Sequence, residues 1–97
     1  MAWAAGVFDA WGGIASEGPK VRLSSVDLAI LDRFQRTVRL GKVYGPYGSQ
    51  QSDGHERKPF YVWTAPVDES RLVFEMLRPW LSSRKVERAE KVGLLKT

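Results

Sequence analysis

The stretch Ala4-Ala5-Gly6-Val7-Phe8-Asp9-Ala10-Trp11-Gly12 decides how this chain is read. It is apolar, crowded with small residues, and closes on a carboxylate, an indole and the glycines Gly12 and Gly13. At helical spacing Ala2, Ala5 or Gly6, and Asp9 make a face nearly bare of side chain. Such a face admits a second helix at close range, because side chains at the contact set the distance between axes. The same spacing fits an Ala-rich helix buried in the protein's own core. Gly12 and Gly13 end the helix, as glycine beyond a C-terminus commonly does.

Working outward, about Gly13 to Ser16 reads as a short strand, and Glu17-Gly18-Pro19 as a tight turn. Lys20-Val21-Arg22-Leu23-Ser24 alternates at the period of a half-buried strand. Val21 and Leu23 face the core; Lys20, Arg22 and Ser24 face out. Ser24, Ser25 and Asp27 offer N-caps for a helix from about Val26 to Arg39. Its apolar stripe is Leu28, Leu31, Phe34 and Val38. Gly41 ends it, and Lys42-Val43-Tyr44 begins a second alternating run.

Gly45 to Lys58 has loop composition and reads as a tip or a binding loop. His55, the single His, has no second metal ligand at useful spacing and reads as solvated. Pro59 to Ala65 reads as a strand with Tyr61, Trp63 and Ala65 on one face and Phe60, Val62 and Thr64 on the other. A third helix opens at Pro66 or Asp68, with an apolar stripe of Val73, Met76, Leu77, Trp80 and Leu81. Pro79 kinks or ends it. Ser82-Ser83 is a break, and a basic helix starts near Arg84.

Two α-β-β units followed by helices predict an α+β fold, α-β-β-α-β-β-α, with a four-stranded antiparallel sheet and helices on one face. With 97 residues, the expectation is one domain over 1–97. Cysteine is absent, which excludes disulfides, thiolate metal sites and a Cys nucleophile. A net charge of +4 favours a polyanionic partner. From Arg84 to Lys96 the cations Arg84, Lys85, Arg88, Lys91 and Lys96 outnumber Glu87 and Glu90. The uncovered sheet face would carry Lys20, Arg22, Ser24, Lys42 and Tyr44, with Val62 and Thr64. That mixture suits a DNA groove, where phosphate contacts give affinity and base edges give specificity. The apolar start is too short to span a membrane and has no basic n-region, so it reads as structure, and an intracellular protein without membrane association is expected.

The opening stretch resembles the LAGLIDADG motif of homing endonucleases, with Ala4, Ala5, Gly6, Val7, Phe8, Asp9, Ala10 and Gly12 in register. The resemblance continues through Ser24-Ser25-Val26-Asp27-Leu28 to Phe34, then Gly41-Lys42-Val43-Tyr44-Gly45, Lys58-Pro59 and Tyr61-x-Trp63. Leu77-x-Pro79-Trp80-Leu81, Arg84-Lys85 and Ala89-Glu90 are similar to the family's closing helices, so nearly the whole chain is covered in order. The family's first hairpin is usually longer than Gly13 to Ser24. The resemblance implies a single-motif homodimer joined through the motif helices (Ala2, Ala5, Gly6, Asp9), each sheet lying in the major groove of double-stranded DNA. It implies DNA contacts from Lys20, Arg22, Ser24, Lys42, Tyr44, Val62 and Thr64 on the sheet. Tyr47, Gln50, Gln51, Arg57 and Lys58 in the loop are further candidates. It also implies Mg²⁺-dependent cleavage of both strands, assisted by a basic residue at Arg84 or Lys85.

One position departs from the motif. Trp11 stands where the family's metal-binding acid stands, and an indole supplies a single N–H donor and no anionic oxygen. Asp9, one step before Ala10, is a weak substitute as metal ligand. The expectation is therefore sequence-specific duplex recognition with cleavage impaired or lost. The alternative is a non-cleaving repressor or recognition subunit on the same scaffold. A third reading confines the first helix to oligomerisation in a structural protein.

Overall fold

The computed structural model describes residues 1–15, 18–48 and 59–94. In chain order they form α1 (Ala2–Trp11), β1 (Gly12–Ala15), β2 (Lys20–Ser25), α2 (Leu28–Val38), β3 (Lys42–Tyr47), β4 (Phe60–Thr64) and α3 (Val67–Leu77). A 3₁₀ turn (Arg78–Trp80) and α4 (Ser83–Lys91) follow. The strands make one antiparallel sheet in the order β1-β2-β4-β3. Two hairpins thus meet at the sheet centre, and the expected α+β architecture is the one observed. Among the described residues no helix is long and apolar enough to cross a membrane.

One face of the sheet is covered. Ile14, Val21, Leu23 and Trp63 point into a core shared with Ala4, Ala5, Val7 and Phe8 of α1, Leu31, Phe34 and Val38 of α2, and Val73, Phe74 and Leu77 of α3. Trp63 is fully buried on central β4, its ring 4.8 Å from Phe34 in an edge-on arrangement. Its indole N–H donates to the Leu40 carbonyl at 2.9 Å, satisfying the polar atom that burial would otherwise strand. Gly41 makes room: its φ is +77°, and a Cβ there would lie 2.7 Å from the indole. The buried Ser70 hydroxyl donates to the Ala65 carbonyl at 2.9 Å and accepts from the Val21 N–H at 3.1 Å, pinning α3 to both central strands.

Several boundaries differ from expectation. α1 begins at Ala2, and Gly12 is already extended backbone in β1, so helix passes into strand without a left-handed residue. A Cβ on Gly12 would fall 2.2 Å from the Phe8 ring, so only glycine permits that abrupt change. α2 starts at Leu28, because Asp27 is the N-cap and accepts from the Ala29 N–H at 3.0 Å. Leu28, expected in the stripe, lies ahead of the buried turns and is exposed. Trp80 is exposed too, since the turn at Pro79 carries it off the α3 stripe, while Phe74 takes a core position. β3 reaches Tyr47, so the connection to β4 is shorter than the expected loop.

The Trp63 packing and the Ser70 bridge lead to two stability expectations, both read by denaturant unfolding. Trp63→Ala should cost about 3–5 kcal/mol. Ser70→Ala should cost about 1–3 kcal/mol by leaving the Val21 N–H without its partner.

Candidate nucleic-acid interface

Because side chains alternate along a strand, burial of Val21, Leu23 and Trp63 sends their neighbours to the opposite face. The register then assembles that face in rows. Arg22 stands opposite Gly13 on one side and Thr64 on the other, and Thr64 stands opposite Lys42. In the next row Ser24 stands opposite Val62, and Val62 opposite Tyr44. Lys20 lies beyond, opposite Ala15. All seven expected sheet residues (Lys20, Arg22, Ser24, Lys42, Tyr44, Val62 and Thr64) therefore share one surface. The Thr64 hydroxyl donates to the Val21 carbonyl at 3.0 Å, leaving its oxygen lone pairs as acceptors.

Charge is segregated on this scaffold. The four strands carry Lys20, Arg22 and Lys42 and not one Asp or Glu. The acids among the described residues lie on helices or their caps: Asp9, Asp27, Asp32, Asp68, Glu69, Glu75, Glu87 and Glu90. Tyr47 lies on the same surface at the end of β3, opposite Phe60. Gln50, Gln51, Arg57, Lys58 and His55 lie outside the described residues.

A second cluster forms where α1 ends. The Asp9 carboxylate accepts from the Ser82 N–H at 2.9 Å, just ahead of α4. The Lys85 ammonium donates back to the Gly12 carbonyl at 2.5 Å. These two bonds clasp the C-terminus of α1 to the first turn of α4. A recess beside them is lined by Asp9, Ala10, Ser82, Arg84, Lys85 and Arg88. Hydrogen bonding from the Ser82 backbone, then from its side chain, holds the Asp9 carboxyl below its ordinary value near 3.8; Lys85 adds to this and burial opposes it.

The geometry corrects two expectations for α1. Ala5 is fully buried in the protomer's own core, because it sits on the sheet-facing side of the helix, so it lies outside any surface open to a second copy. Asp9 is turned to Ser82 and α4. The open small-residue face is instead Ala2, Gly6 and Ala10, spaced by four, and nothing lies within 4 Å of a Cβ built on Gly6. Arg88, one turn beyond Arg84, also lines the recess; the charge pattern of α4 signals this cation without fixing where it points.

The residues around Asp9 do not fit a divalent cation within one protomer. Three of the six lining residues are cations, and the carboxylate already holds Ser82. Hard cations want several oxygen ligands. Among the described residues no group of three His, Cys, Asp or Glu side chains comes together. Trp11 lies elsewhere: 65% exposed, it lines a groove with Val7, Leu23, Ser24, Ser25 and Val26. Comparison with known families, curated proteins and solved structures gives no match for this chain.

The Asp9 bond fixes a sign for pH dependence. A carboxylate with a lowered folded value adds stability above its unfolded value, and that stability is lost as pH falls through the folded value. Wild type should therefore lose stability as pH drops below about 4, while Asp9→Asn flattens that part of the acid limb. Asp9→Ala should cost about 1 kcal/mol at neutral pH. Thermal melts across the acid range measure both.

Proposed function

We propose that this chain recognises double-stranded DNA in a sequence-specific manner as a homodimer of LAGLIDADG homing-endonuclease type, with metal-dependent cleavage impaired or lost. The supporting observation is the charge segregation: a sheet face with Lys20, Arg22 and Lys42 beside Ser24, Thr64 and Tyr44, on strands without an acid. Cations supply phosphate affinity there, and Arg22 can present a paired donor to guanine in the major groove. The open Ala2-Gly6-Ala10 stripe supports close packing of two α1 helices.

The second reading, a non-cleaving repressor or recognition subunit, is favoured by Trp11 and by the cations crowding Asp9. The same experiment addresses both. Replacing Arg22 and Lys42 together with Ala should weaken duplex binding and lower the log–log salt slope by about 2, roughly 0.9 for each phosphate that is no longer neutralised. Unchanged affinity would remove the face from consideration. Trp11 is exposed, so Trp11→Asp should fold normally; plasmid cutting in Mg²⁺ by this variant, against none by wild type, would select the impaired endonuclease.

Gly6→Leu tests the dimer cleanly, because open space around Gly6 means the protomer itself loses nothing. Sedimentation should show wild-type dimer and variant monomer, the overpacked contact costing about 1–3 kcal/mol. A monomeric wild type at high micromolar concentration would defeat the assignment.

A further inference from the structure

The β3–β4 end of the outer sheet face carries three uncovered aromatic rings. Tyr44, Tyr47 and Phe60 are 46%, 45% and 38% exposed. Residues 44 and 47 are three apart, and strict alternation would put them on opposite faces. The pairing shows otherwise: Tyr44 stands opposite Val62 and Tyr47 opposite Phe60, so β3 advances three residues while β4 advances two. The extra residue is a bulge, and it returns Tyr47 to the face of Tyr44. Gly45 occupies the bulge at φ +133°, where a Cβ would lie 2.8 Å from the Tyr61 ring. Tyr47 and Phe60 sit 5.9 Å apart, centroid to centroid, with their planes tilted by 45°. Lys42 and Arg22 lie in the adjoining row.

An intact duplex hides its base faces in the stack and offers protein only the base edges. Open rings beside cations match a different shape: unpaired bases, which stack on aromatic faces while phosphates meet the cations. We propose that Tyr44, Tyr47 and Phe60 form a stacking platform for the unpaired bases of single-stranded nucleic acid. This rests on the reading that the cationic sheet face engages nucleic acid, and it adds a second substrate form to that face. The strands without an acid give the charge complement for phosphates, and the open rings are what single out unpaired bases as the occupant.

The test is fluorescence anisotropy at low salt with three labelled probes: oligo(dT), oligo(rU) and a duplex. Wild type should bind at least one single-stranded probe, and a preference between them identifies the sugar. Tyr44→Leu with Phe60→Leu keeps apolar bulk but removes two rings. Single-strand affinity should then fall about tenfold or more, and by several-fold more than duplex affinity, which loses only the edge contact of Tyr44. Photo-crosslinking of wild type to a 5-iodouracil single strand should place adducts on Tyr44, Tyr47 or Phe60, a result independent of how the variant folds. Duplex binding without single-strand binding would overturn the platform and leave the duplex reading standing. Single-strand binding that ignores the substitutions and crosslinks elsewhere would overturn it as well. Binding of no probe would overturn both readings.

Discussion

Burial of Trp63 is the constraint on which the rest of the structure depends. An indole at the centre of β4 must lose its water, so its N–H needs a carbonyl and its ring needs partners. Leu40 supplies the carbonyl, Phe34 the ring contact and Gly41 the space. Those three residues belong to α2 and its exit, so one side chain fixes how α2 lies on the sheet and where β3 can begin. The same orientation dictates the outer surface. With Trp63 inward, Val62 and Thr64 are outward, and the register carries that choice to Arg22, Ser24, Lys42 and Tyr44. Core and candidate interface are two consequences of one alternation.

The outer face also explains where the acids are. A sheet covered on one side has to be compatible with water or with a partner on the other. Here the uncovered side offers cations, hydroxyls and aromatic rings, while negative charge is kept to helices and caps, where Asp27 and the α3 first-turn acids Asp68 and Glu69 meet helix N-termini. Local helix chemistry thus accounts for part of the charge separation without reference to function. Strand chemistry accounts for part of the remainder, since Asp and Glu are depleted from strands and Lys42 lies on the edge strand β3; the three cations with no acid among them are compatible with a polyanionic partner.

Much of this is legible in the sequence. Period-two alternation in Lys20–Ser24 and Pro59–Ala65 identifies both central strands and assigns their faces. Asp27 announces the start of α2 through its capping side chain, whereas the end falls before the expected Gly41, on Arg39 in the left-handed conformation at φ 61°. What is not legible depends on contacts between distant segments. Ala5 and Gly6 both fit a bare helix face, and only packing against the sheet shows that Ala5 is inward and Gly6 open. The bulge that returns Tyr47 to the outer face has no periodic signature, because it breaks the alternation that strand reading relies on. Trp80 satisfies a helical stripe on paper, but Pro79 turns the chain before the stripe can reach it. The clasp between Asp9 and Ser82 joins residues far apart in sequence, and no local pattern announces it.

The same clasp bears on the chemistry of the α1 terminus. Residues 9 and 11 are two apart on a helix, about 200° around its axis. Asp9 therefore faces α4 and its cations, while Trp11 faces the groove beside Ser24 and Ser25 at the end of β2. A carboxylate at position 9 cannot take the place of one at position 11 by a change of rotamer; the helix end would have to turn, breaking the bonds to Ser82 and from Lys85 to Gly12. On the proposed reading, position 11 lies beside the sheet face that engages DNA, and position 9 is held in structural service behind it. An exposed indole at that border is compatible with apolar or stacking contact to a nucleic acid and incompatible with holding a hard cation. On that reading, position 11 contributes contact to nucleic acid and no ligand to a metal.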